Sequence, residues 1–230
     1  MKKLGLLVFA VVIVGSLALV WAITGKSVVG SSLIHFDVRG SGNTATEKRD
    51  VSGFKGIHAG GAMQLEITVG KEFSVELEGD DNILPTIKTE VRDGKLYFER
   101  KEGRIWSRGR VTARITMPEL DDLDVSGAST AMASNVKTEN LKLETSGASR
   151  IEISGEARSI EVEVSGASKL DADNLKTERA KIEASGASKA SIFASEAIDV
   201  NASGASKIMY SGNPKSVSKD ASGASSISAN

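Results

Sequence analysis

The tetrapeptide Ser-Gly-Ala-Ser recurs six times in the second half of this 230-residue chain, with its glycines at Gly127, Gly147, Gly166, Gly186, Gly204 and Gly223. Successive glycines stand 20, 19, 20, 18 and 19 residues apart. A period of this size marks a solenoid, where each repeat is one coil and neighbouring coils hydrogen-bond about 4.8 Å apart. The chain is therefore expected to fold as an all-β, single-chain parallel β-helix with coils of about 18–20 residues.

The residues on either side of each glycine alternate with period 2, the spacing of a strand with one face inside. Four places before it stand Leu123, Leu143, Val162, Ile182 and Val200, and two before it Val125, Thr145, Val164, Ala184, Ala202 and Ala221. Four places after it stand Ala131, Ile151, Leu170, Ala190, Ile208 and Ile227, and six after it Ala133, Ile153, Ala172, Ile192, Tyr210 and Ala229. These columns should point inward from two strands that meet at the tetrapeptide, with a third side closed by turns such as Gly155-Glu156-Ala157, Asn174-Leu175-Lys176 and Gly212-Asn213-Pro214. Glycine suits a corner where backbones approach closely, and serine hydroxyls can bond along the stack or to the turn backbone. The repeated tetrapeptide thus reads first as a corner. Six equivalent serines with no histidine nearby in sequence do not make a nucleophilic site.

The stretch Phe54 to Ile67 fits the same template, with Ile57 and Ala59 inward before Gly61 and Leu65 and Ile67 inward after it. Residues 68–120 are less regular, with strand-like runs at Phe73 to Leu77, Leu96 to Phe98 and Val111 to Met117 and a tight turn at Asp93-Gly94. They are expected to continue the stack as irregular coils closed by Pro118. The domain should span 51–230, its regular coils 120–230, and residues 24–50, rich in Gly, Ser and Thr, should form a linker.

Lys2 and Lys3 precede an uncharged run from Leu4 to Ile23, the pattern of an export signal. Residues 1–23 then form either a signal peptide, with cleavage possible after Ala22, or a retained signal anchor, since 20 apolar residues can span a bilayer. Positive charge ahead of the span places the domain in an extracytoplasmic location, anchored to the membrane or secreted. The chain has no cysteine, so disulfides and thiol chemistry are excluded. A net charge of −1 gives no global reason to expect nucleic acid.

The run Val51-Ser52-Gly53-Phe54-Lys55-Gly56-Ile57, followed by Asn82-Ile83-Leu84-Pro85, Gly94-Lys95-Leu96, Ile115-Thr116-Met117-Pro118-Glu119-Leu120 and the tetrapeptide coils, resembles the head GIN domain family. That family was first grouped as a domain of unknown function and is described as a "putative auto-transporter adhesin" head. The resemblance covers roughly residues 51–212. It implies an exported single-chain β-helix. The leading expectation is a surface protein that acts as an adhesin or envelope-binding module, with an unknown protein or glycan partner.

Two outward columns carry the candidate binding surface. Three residues before each glycine stand Asp124, Glu144, Glu163, Glu183, Asn201 and Asp220; three after it stand Thr130, Arg150, Lys169, Lys189, Lys207 and Ser226. Like charges about 4.8 Å apart repel by about 0.9 kcal/mol per pair even in bulk water, before salt screening. Solvation and diagonal neighbours are the plain account: Lys142 and Lys181 beside the acidic column, Glu152 and Asp171 beside the basic one. The sharper account is a docking surface on both sides of the serine strip, or divalent cations held by the acidic column, although no calcium-loop signature accompanies it.

The rival class is a carbohydrate-active β-helix enzyme, a lyase or hydrolase. Such an enzyme needs converging carboxylates, a metal or a basic proton acceptor in a groove. The chain has two histidines, His35 in the linker and His58 at an outward place, and neither has a partner that the sequence places. No catalytic residue, metal ligand or cofactor motif is assigned.

Overall fold

The computed structural model describes residues 38–100, 105–106 and 110–230. The apolar leader and His35 lie outside them. Within them the expected β-solenoid is present. The strands Thr130–Thr145, Arg150–Val164 and Lys169–Ala184 each run along most of a coil, and successive coils pair in parallel.

The register aligns the columns read from the repeat. Leu123 pairs with Leu143, Leu143 with Val162, Val162 with Ile182 and Ile182 with Val200, and all five are buried. Ala131, Ile151, Leu170, Ala190 and Ile208 stack in the same way on the other side of the corner. Because the regular coils bury much the same small set of aliphatic side chains, their core is a narrow column filled mainly by Leu, Ile, Val and Ala. That is why an aromatic content of 4% suffices.

The third side differs from the expectation. Gly155-Glu156-Ala157 and Asn174-Leu175-Lys176 are not turns but parts of strands, paired with Val136 to Thr138 and with each other. Each of these coils is therefore three-sided, with Val136, Ala157 and Leu175 buried from the third face. The period varies because the corner before this face takes up insertions. Register shifts fall between Ala133 and Val136 and between Glu152 and Ser154, so the charged columns stay aligned while coil length changes.

Residues 68–120 correct the expectation of simple continuation. The coil Gly56–Ala59 and Met63–Val69 lies between two others: Lys95–Arg100 and Val111–Met117 on one side, Asp122–Val125 and Thr130–Thr145 on the other. The chain lays down one coil, adds the next beyond it, then crosses back to build the regular array. Three further strands are antiparallel. Ser74–Asp80 pairs with Val111–Met117 and with Thr44–Lys48, and Ile87–Arg92 pairs with Lys95–Arg100 through the expected Asp93-Gly94 turn, where both residues have positive φ. Reversing direction covers the edge that a purely parallel stack would leave open. The strand Thr44–Lys48, within the stretch expected to form the linker, pairs with the sheet through Ser74–Asp80.

Candidate functional site

The serine corner is built from backbone hydrogen bonds that its glycines make possible. The N–H of Ala148 donates to the carbonyl of Gly127 at 2.7 Å, and Ala167, Ala187, Ala205 and Ala224 repeat the bond coil by coil at 2.7–2.8 Å. Within each corner the second serine turns inward. Ser149 donates to the carbonyl of Ser146 at 2.8 Å and Ser206 to that of Ser203 at 2.9 Å. The second serines from Ser129 to Ser206 are buried; Ser149, Ser168 and Ser206 fasten the turn, whereas Ser129 Oγ accepts from the Met63 N–H and Ser188 Oγ has no hydrogen-bond partner among the described residues. The glycine and alanine of each corner form a narrow exposed tip.

The acidic column runs beside this tip in strict register: Asp124, Glu144, Glu163, Glu183, Asn201 and Asp220 occupy successive coils. Its flanking column alternates in sign through Lys142, Glu161, Lys181 and Asp199, and this alternation offsets part of the repulsion. Lys142 bonds Glu144 at 2.9 Å, while Lys181 reaches Glu161 at 3.1 Å and Glu183 at 3.2 Å. The hydrogen bond to Glu144, with the added fields of Glu163 and Asp122, holds Lys142 above the ordinary lysine range. Lys181 is raised in the same way, first by its bond to Glu161 and then by Glu183. Glu163 and Asp220 have no ion pair among the described residues. They help line a shallow groove of about 350 Å³ with Glu183, Ser165, Ser185 and Ser203.

On the other side of the tip Arg150, Lys169, Lys189 and Lys207 stack in register. Arg150 approaches Glu152 at 3.7 Å and Lys169 approaches Asp171 at 4.0 Å, the neighbours expected from sequence. Lys189 and Lys207 have no ion-pair partner among the described residues. One other corner is different, because its charges alternate along the stack. At the corner after the third face Arg158 sits between Glu139 at 3.5 Å and Glu178 at 3.3 Å, and Arg179 between Glu178 at 3.4 Å and Glu196 at 3.1 Å. Both the self-neutralised corner and the two unbalanced columns follow from which residue type sits at each repeat position.

His58 has a partner that the sequence reading missed. Its Nδ1 lies 2.7 Å from Asp124 Oδ2, and its ring packs on Tyr97 with centroids 5.3 Å apart, while the Arg92 guanidinium lies 4.1 Å from the centre of the Tyr97 ring. The signal was available: His58 stands three places before Gly61, as Asp124 stands before Gly127, so it is the next member of the acidic column. Nearby, Gly56 leaves room for the Lys95 side chain to cross it and meet Asp122 at 2.6 Å.

Among the described residues no three acidic or imidazole side chains converge as metal ligands would. The column carboxylates stand side by side along the stack, not on either side of a bond to be cleaved as in a glycosidase carboxylate pair.

A family model described as "Putative auto-transporter adhesin, head GIN domain" matches residues 53–214. The chain belongs to that family. As a head GIN domain it shares its fold with a structure titled a "putative adhesin" from Bacteroides fragilis, at 22% identity and a TM-score of 0.71, covering 84% of this chain and 100% of the other. A "putative lipid binding protein" from Parabacteroides distasonis matches at 20% identity and a TM-score of 0.55, covering 84% and 99%. A "putative adhesin" from Parabacteroides merdae matches at 15% identity and a TM-score of 0.52, with the same coverage. A comparison with curated proteins gives no significant match.

Proposed function

We propose that this head GIN domain is a non-catalytic binding module at the cell surface, an adhesin or envelope-binding protein that meets its partner along the serine edge. The observation that carries the reading is the contrast between surfaces. The third-face corner neutralises its own charges, whereas the two columns beside the Gly-Ala tip keep like charges stacked in register, with Glu163, Asp220, Lys189 and Lys207 unpaired among the described residues. Stacked like charge opposes folding, and a partner of opposite charge relieves it on binding. The family's description as an adhesin head supports the assignment to the surface. So does the leader, whose Lys2, Lys3 and apolar run suit export and, if retained, attachment to the membrane.

The test uses the full-length chain on intact cells. External protease should reach the domain where no outer layer shields it. Labelled chain should bind isolated envelopes less well when Glu144, Glu163 and Glu183 are changed together to Gln, but equally well when Glu139 and Glu178 are. Equal binding by both variants overturns the serine edge as the binding surface.

A further inference from the structure

We infer that the partner fitted by the serine edge is a second copy of this chain, docked edge to edge in parallel; this rests on the reading of that edge as the binding surface. In three successive coils an acid and a base flank the same glycine, three places before and three after: Glu144 and Arg150 about Gly147, Glu163 and Lys169 about Gly166, Glu183 and Lys189 about Gly186. The register places each pair at one level of the stack. The strands on the two sides of the corner turn these side chains outward, and the exposed Gly-Ala tip between them has no bulk to hold a neighbour away.

A two-fold axis parallel to the solenoid axis brings tip against tip and exchanges left for right. The acidic column of each copy then faces the basic column of the other, level by level, because both columns have the pitch of the same coils. Glu144 of one copy meets Arg150 of the second, Glu163 meets Lys169 and Glu183 meets Lys189, and each pair occurs twice in an isologous contact. Turning one copy upside down sets acid against acid and base against base, so the charge pattern selects the parallel arrangement. A polycation matches one column and is repelled by the other, and a polyanion meets the converse. A second copy carries both signs at matching pitch and separation.

The chain has no cysteine of its own, so the contact can be read by single-cysteine cross-linking. In a parallel two-fold contact each tip residue meets its own counterpart at every level. Ala128→Cys, Ala167→Cys and Ala205→Cys should each give disulfide-linked dimers of the full-length chain under mild oxidation, and Glu156→Cys on the third face should not. Dimers should form at about 0.01 M salt and be lost at about 1 M, as the Debye length falls from about 30 Å to about 3 Å. In the Ala167→Cys background, reversing the acidic column (Glu144→Lys, Glu163→Lys, Glu183→Lys) or the basic one (Arg150→Glu, Lys169→Glu, Lys189→Glu) should abolish the dimer. Mixing the two reversed variants should restore it as a heterodimer. Tip cysteines that cross-link no better than the third-face control overturn the inference, as does a dimer that survives either reversal. If that happens while envelope binding still depends on the acidic column, the edge serves another partner and the binding function stands.

Discussion

The carbonyl oxygen of Gly147 occupies the space where a side chain on Gly166 would begin: a β-carbon there would lie 2.6 Å away, and Gly166 has φ of +73°. Gly94 has nearly the same φ, +75°, but nothing within 4 Å of its own missing β-carbon. The pair separates two costs that glycine avoids. Gly94→Ala should lose about 1–2 kcal/mol from left-handed backbone strain alone. Gly166→Ala should lose at least about 3 kcal/mol, because strain is joined by a clash with backbone that cannot move without breaking the coil-to-coil bond. Urea denaturation of both variants measures the difference, and equal losses would remove the steric reason for the repeat.

The inward and outward parity of the strands is open to a similar comparison. Leu170 and Ile151 are fully buried, while neighbouring Lys169 is on the surface. Ile151→Lys or Leu170→Lys should cost about 3–5 kcal/mol by placing an unpaired charge between coils. Lys169→Glu should stay within about 1 kcal/mol in thermal unfolding.

The regular half of the solenoid was legible because its code is local. Period-2 alternation around Gly147 or Gly166 names the buried residues, and the constant offset from each glycine aligns the columns. The order of the first coils was not legible. Ile57 and Leu65 fit the template whether residues 95–117 stack before or after them, since each parallel strand has two edges and the alternation does not say which is used. The third face was hidden for another reason: Val136, Ala157 and Leu175 contribute one or two inward residues per coil, too few to show a period. His58 was read alone, although its distance from Gly61 already set it in the acidic column beside Asp124.

Asp173 stands at the corner register shift before the third face, and burial, followed by the charge of Asp171, raises its pKa against the opposing pull of Lys169. A carboxylate whose pKa is raised by folding binds its proton more tightly in the native state. It therefore destabilises the fold once pH exceeds its folded value, and the penalty vanishes below the ordinary aspartate range. Asp173→Asn should raise the melting temperature at neutral pH and leave it unchanged at strongly acidic pH. A gain that is the same at both would show that charge is not its source.

Lys219 interrupts the inward column in the last coil, where it pairs with Val200, and its Nζ lies 4.5 Å from the centre of the Tyr210 ring. All of Ser216–Ala221 is exposed, and among the described residues its outer edge has no partner strand; charge protects such an edge from pairing with another chain. Lys219→Ile should leave the monomer folded but promote end-to-end association. Light scattering against concentration detects it, at about 1 M salt so that contacts along the serine edge are screened. A variant that stays monomeric and equally soluble contradicts a capping role.

Successive residues of each charged column stack a single coil apart on one side of the serine edge. Arg150 and Lys189 are 39 residues apart in sequence yet two coils apart in the stack, which places their backbones about 10 Å from each other. With no native cysteine, Arg150→Cys and Lys189→Cys accept spin labels at those two sites alone. At about 1 M salt, with contacts between copies screened, the doubly labelled chain should give a continuous-wave spectrum strongly broadened by dipolar coupling relative to the sum of the single labels. A spectrum equal to that sum would place the two residues on different parts of the surface and contradict the columns on which both the binding edge and the dimer rest.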